Sequence, residues 1–264
     1  MNIRITHAQK TEIFASIFQH LRAFTEHVNI TFSEERMYLQ SMDSSRVSIF
    51  ELILPSEWFD VYEFNQNGPF TIGVNSIILY KILNTRDKSQ ETHIIYDNDA
   101  DTDKLFIQFT GDNKTVFDKK FELPLIDIDA ELMDIPTSDC DAEFSISSAS
   151  FANIISQLRI FGDNIDIECS EDKIELNSTS PELGKMTVNI DIDELTSYSV
   201  NEDDVINLSF SLAILQNICL YHKLSKEMII YLTRDFPLKL VYILCDENEN
   251  ASMTFYLAPK INED

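Results

Sequence analysis

Residues 14–41, FASIFQHLRAFTEHVNITFSEERMYLQS, align without a gap on residues 151–178, FANIISQLRIFGDNIDIECSEDKIELNS, and 11 of the 28 positions are identical. The matches run from Phe14/Phe151 through Arg22/Arg159 to Ser41/Ser178 at a constant offset of 137. A second echo, at offset 136, sets FTIGVNSIILYKI (70–82) over INLSFSLAILQNI (206–218). Similarity on this scale means one supersecondary plan used twice, so each half reads as helix, strands, helix, strands. Ile13, Phe14, Ile17, Phe18, Leu21 and Phe24 fall on one arc at helical period, predicting a helix over 10–24. Phe151, Ile154, Ile155, Leu158 and Phe161 repeat that arc. Alternating stretches such as 37–54 and 253–257 predict half-buried antiparallel strands, with more strand than helix. The fold class is therefore α+β: two tandem repeated domains of antiparallel sheet with two helices each, over 1–124 and 142–264. An acidic connector, 125–141, carries Pro136 and joins them.

The composition excludes several functions. With 264 residues and 44% apolar side chains the chain buries a core without disulfides and is too apolar for disorder. Twenty Lys and Arg against 45 Asp and Glu give a net charge of -25, so the outer surface as a whole does not grip phosphates. Five scattered glycines form neither a dinucleotide fingerprint nor a P-loop. Cys140, Cys169, Cys219 and Cys245 lack CxxC spacing, which predicts reduced, buried thiols. The start MNIRITHAQK has no apolar leader core, and no apolar run approaches the ~18 residues of a membrane span, so a soluble, non-secreted protein is expected. Asp97, Asp99, Asp101 and Asp103 imitate a calcium loop, but Thr102 and Gln108 stand where it needs Gly and Glu, so a solvated turn is expected. His20 and His27 have no third ligand in pattern, and neither HExxH nor GxSxG occurs. No catalytic site, metal or cofactor is predicted.

The acids are absent in a pattern. Residues 64–86, 147–162 and 205–226 contain no Asp or Glu, and residues 1–25 contain only Glu12. These 86 residues carry eight basic groups and one acid, net +7, which leaves -32 on the other 178. They include all four expected helices, whose outer faces hold Ala15, Ser16, Gln19, Arg22, Asn153, Ser156 and Arg159. Surface helices normally carry acids and bases together, so this segregation favours helices that face something negative over helices that are merely buried. The connector is the reverse, with Leu132, Met133 and Ile135 among acids. Two readings stand for it: a strap packed on its own domain, or the lip of a groove for a partner peptide.

LQSMDSSRVSIFEL (39–52), SEWFDVYEF (56–64), the connector's DIP (134–136) and YLAPKI (256–261) together resemble the sliding clamps of the proliferating cell nuclear antigen family. The resemblance covers essentially the whole chain. It implies the DNA clamp fold in a closed homotrimeric ring, with helices lining a hole for double-stranded DNA and sheets outside. It also implies a non-enzymatic processivity factor that tethers DNA polymerase, clamp loader and repair proteins through short clamp-binding peptides. DNA-facing residues would be Lys10, Arg22, Lys81, Arg86, Arg159, His222 and Lys223. The partner groove would use Met42, Arg46, Val47, Ile49, Met133, Ile135, Pro136, Pro237, Tyr256, Ala258, Pro259, Lys260 and Ile261. Subunits would join through the strands around Phe121 and Leu123 and around Met186 and Val188. The implied location is the nucleus in a eukaryote, or the host nucleus or viral replication site for a virus. Ala15, Ser16, Asn84, Asn153, Ser156 and Ala213 stand where the family is often basic, Arg46 replaces its usual groove histidine, and Glu171 replaces a modifiable lysine. The alternative reading is an acidic scaffold that binds replication or repair proteins without encircling DNA.

Overall fold

The computed structural model describes residues 1–97, 103–112, 115–135, 138–201, 204–244 and 250–260. Asp99, Asp101, Pro136, Cys245 and Ile261 lie outside the described residues. The chain forms two compact units: Met1–Ser44, Glu51–Met133 and Leu244–Ser252 make the first, and Ser45–Phe50, Asp134–Ile243 and Met253–Asp264 the second.

In chain order the first repeat contributes β1 (Asn2–Ile5), α1 (Ala8–Leu21), β2 (His27–Phe32), β3 (Arg36–Met42), β4 (Ser48–Pro55), β5 (Val61–Glu63), β6 (Phe70–Asn75), α2 (Ser76–Leu83), β7 (Glu91–Ile95), β8 (Lys104–Thr110) and β9 (Lys119–Pro124). One sheet has the order β5-β1-β7-β8-β9, antiparallel throughout. In another, β2 pairs with β3 on one side and β6 on the other. α1 and α2 pack together. The buried stripe of α1 is Thr11, Phe14, Ile17, Phe18 and Leu21. The helix is one turn shorter at its end than the expected 10–24. Ala23 and Phe24 N–H bond back three residues, to the His20 and Leu21 carbonyls, so a tight turn rather than the helix buries Phe24.

The second repeat contributes β10 (Ala142–Ser147), α3 (Ser148–Phe161), β11 (Asn164–Ser170), β12 (Lys173–Ser180), β13 (Gly184–Ile190), β14 (Ser197–Val200), β15 (Ile206–Ser211), α4 (Leu212–Ile218), β16 (Glu227–Leu232), β17 (Leu238–Ile243) and β18 (Ser252–Leu257). The order β14-β10-β16-β17-β18 repeats β5-β1-β7-β8-β9, and β13-β12-β11-β15 repeats β4-β3-β2-β6. α3 packs on α4 as α1 does on α2. Strand residues outnumber helical ones among the described residues, and four α-helices with antiparallel sheets give the α+β class.

The alternation over 37–54 runs through a break. Residues 43–47 form a turn between β3 and β4 in which Arg46 has φ 59°, a left-handed conformation unusual for a residue with a Cβ. Cys169 and Cys219 are buried, and burial pushes both thiols up to about 12; Cys140 is half-exposed.

Candidate functional site

The acid-poor helices present small and amide side chains. Asn153, Ser156 and Gln157 are exposed on α3, Ala213 and Gln216 on α4, while Ala15, Ser16 and Gln19 are half-buried on α1. Several of the expected DNA-facing cations already have partners close by. Lys10 Nζ lies 5.8 Å from the Trp58 ring centre, and the Arg22 guanidinium lies 4.9 Å over Tyr80. Arg86 donates to the carbonyls of Asp87 and Gln90 at 2.9 and 2.8 Å, and its burial lowers its pKa. Arg159 pairs with Asp163 and donates to the Gly162 carbonyl. His222 Nδ1 is 2.8 Å from the Cys219 carbonyl oxygen. Lys81 on α2 and Lys223 beyond α4 are exposed. A cation over an aromatic face keeps its charge and meets a phosphate at little cost, whereas Arg86 and Arg159 must first give up local bonds.

The connector divides into two parts. Residues up to Met133 are strapped to the first unit: Ile126 N–H donates to Gly73 O (2.8 Å), and Asn29 Nδ2 donates to Ile128 O (3.1 Å). Gln40 binds Met133 twice, accepting from its N–H at 2.7 Å and donating to its carbonyl at 3.0 Å. The approach at Gly73 is so close that a Cβ there would lie 2.1 Å from the Ile126 carbonyl oxygen. Leu132 stays 61% exposed on this strap. Ile135, two residues past the last of these bonds, lines a concavity in the second unit.

That concavity, of about 300 Å³, is lined by Ile135, Pro237 and Tyr256 together with Tyr231, Phe236 and Lys239. Tyr231 and Lys239 are direct neighbours across β16 and β17, and the ammonium sits 4.9 Å from the Tyr231 ring centre. Burial raises the Tyr231 pKa, with Glu143 adding to it, so the ring stays neutral at ordinary pH. A second concavity of about 400 Å³, also in the second unit, is lined by Val47, Ala258, Pro259 and Lys260 with Ser211 and Ile214. The Ala258 N–H donates to Val47 O at 2.9 Å and Lys260 N–H to Ser209 O at 2.8 Å, fixing the segment after β18. Met42 and Ile49 are half-buried near the turn that carries exposed Arg46. The first concavity is also lined by Ser138, Asp139, Cys140 and Thr233, so its aromatic and aliphatic walls suit apolar side chains of a peptide while its polar rim can fix the peptide's backbone. Sequence reasoning missed Tyr231, Phe236, Lys239, Ser211 and Ile214; Phe236 beside Pro237 was the available signal.

Among the strands that end sheets in the described residues are β9 and β13. β9 ends the five-stranded sheet and β13 ends the four-stranded one. Phe121 is half-exposed, its ring 5.7 Å from Phe109, and Met186 and Val188 are half-exposed on β13. Leu123 points into its own unit, 1% exposed, and offers an edge only its backbone.

Residues 4–132 match the family described as proliferating cell nuclear antigen, N-terminal domain, and residues 134–260 match the C-terminal domain of the same protein. Among the described residues no helix is long and apolar enough to cross a membrane. Both halves of a clamp are thus present in order, which decides against the scaffold alternative and carries DNA and replication proteins as partners. The chain belongs to the proliferating cell nuclear antigen family and is a DNA sliding clamp, a non-enzymatic polymerase processivity factor of replication and repair.

Proposed function

We propose that three copies close into a ring by pairing β9 of one copy with β13 of the next, around duplex DNA. The observation that carries this is a mismatch in burial between matching residues of the two repeats. β9 corresponds to β18 and β13 to β4, with Phe121 in the place of Phe255 and Met186 in the place of Phe50. Phe50 and Phe255 are buried, with ring centres 6.2 Å apart, where β4 starts beside β18. Phe121 and Met186 have no such partner strand and stay half-exposed. Pairing the two free edges between copies gives both residues the environment that their counterparts have. Because the edges are unlike, the contact is head to tail, and such contacts make rings when the rotation closes.

In this reading the domains are 1–124 and 142–264 about the connector 125–141. Lys10, Arg22, Lys81, Arg86, Arg159, His222 and Lys223 face the DNA. Polymerase and loader peptides bind on the second unit, at Arg46, Val47, Ile49, Ile135, Pro237 and the segment Tyr256 to Lys260. The protein works where DNA is copied, the nucleus in a eukaryotic cell. Solution mass tests the ring: three chains of 30.4 kDa give about 91 kDa. Phe121→Asp and, separately, Met186→Asp each set a charge in the joint and should give folded monomers by light scattering and circular dichroism. A monomeric wild type at micromolar concentration would end the proposal.

A further inference from the structure

Among the described residues Phe117 is the most exposed of the large apolar side chains, at 83%, and it stands just before β9. Its backbone is nevertheless held. Gln90 Nε2 donates to the Phe117 carbonyl at 2.9 Å, and Lys119 Nζ donates to the Thr85 carbonyl two residues on. An exposed phenyl ring on a fixed backbone loses little conformational entropy on docking.

The repeat says what such a position does when it is covered. Continuing the β8/β9 register past Phe109↔Lys119 sets Gly111 opposite Phe117. The same place in the second repeat holds Leu244 and Ala251, whose N–H to carbonyl bond of 2.8 Å closes the β17/β18 hairpin. Ala251 is 0% exposed. Phe117, in the matching place, has the larger side chain and is exposed. A second mismatch identifies the receiving surface. Ile17 on α1 is fully buried, but Ile154, its counterpart on α3, is half-exposed. α3 packs on β13, the edge proposed to take β9.

We infer that Phe117 is an apolar peg that seats against Ile154 on α3 of a second copy of this chain, joining subunits through side chains outside the strand pairing. This rests on the ring proposed above. The peg is continuous with that joint, being two residues from β9, and its partner is the helix lying on β13. An apolar seat is not screened by ions, so this part of the joint holds equally in dilute and concentrated salt.

The test is a double-mutant cycle on the trimer dissociation constant with Phe117→Ser and Ile154→Ser, read by mass photometry at two salt concentrations, together with benzoylphenylalanine placed at position 117 and its crosslinks mapped by mass spectrometry. Phe117→Ser is expected to raise the dissociation constant about tenfold or more, with the same ratio in low and high salt, as for a buried interface aromatic. Adding Ile154→Ser should raise it less than the two single effects combined, since both remove one contact. Crosslinks should fall on α3 of another chain. A trimer that Phe117→Ser leaves equally tight, or crosslinks confined to the same chain, overturns the peg and leaves the ring standing. A monomeric wild type overturns both.

Discussion

Asp60 holds the start of α1 from outside the helix. His7 occupies the N-cap position without a side-chain cap bond, and the Asp60 carboxylate instead accepts the N–H groups of Thr6 and His7 at 2.5 and 3.1 Å. Burial pushes the Asp60 pKa up, but these two bonds, a hydrogen bond from the Thr6 side chain and the charge of Lys10 together outweigh it, and the net position is below the ordinary carboxylate value. A depressed native pKa gives stability that is present above the unfolded value and lost as pH falls through the native one. Asp60→Ala should therefore cost about 1 to 2 kcal/mol in urea unfolding at pH 7, and the gap from wild type should close below about pH 4. A gap that is unchanged in acid would refute the capping role. Such a residue was not legible in the sequence, because its partners lie more than fifty positions away. The same holds for Arg86 and Arg159. Their charge was visible, but the carbonyls and the carboxylate that occupy them depend on where a loop turns.

At the level of elements the period did most of the work. The stripe from Phe14 to Leu21 predicted α1, and the offset carried it to α3, whose buried residues are Ser148, Phe151, Ile155 and Leu158. Alternation was less informative. It continued through residues 43–47 and hid the turn, since a left-handed Arg46 leaves no mark on a hydrophobic pattern. The connector shows why two readings of a sequence can share one segment: bonds to Gly73, Asn29 and Gln40 make a strap as far as Met133, and Ile135 then lines the concavity with Pro237 and Tyr256. Truncating Ile135 and Tyr256 to Ala should each cost on the order of 1 to 2 kcal/mol in calorimetric binding of a peptide with one aliphatic and two aromatic anchors. The ring mass should not change. Undiminished affinity would move the partner site elsewhere.

For the whole molecule, a net charge of -25 with cations partly engaged at the helices points to weak direct affinity for phosphates. The closed ring proposed above would hold DNA by linkage instead. Protein loaded on nicked circular DNA is expected to survive a high-salt wash and to be lost quickly once the circle is cut. Lys81→Glu with Arg22→Glu should slow loading or sliding and leave retention on circles largely intact. Equal loss from circular and linear DNA, with a loader active on a control clamp, would refute topological holding.

β9 and β13, the edges proposed to join, differ in sequence, so the joint between them is head to tail. A ring closed by such a joint has every subunit pointing the same way round, and its front and back are different surfaces. In the ring proposed above, all copies of the Ile135 and Tyr256 concavity open in equivalent positions, which would let more than one enzyme ride the clamp at once. The clamp on its duplex becomes a polar object. Which way it is threaded decides whether a docked polymerase meets the growing end or faces away from it.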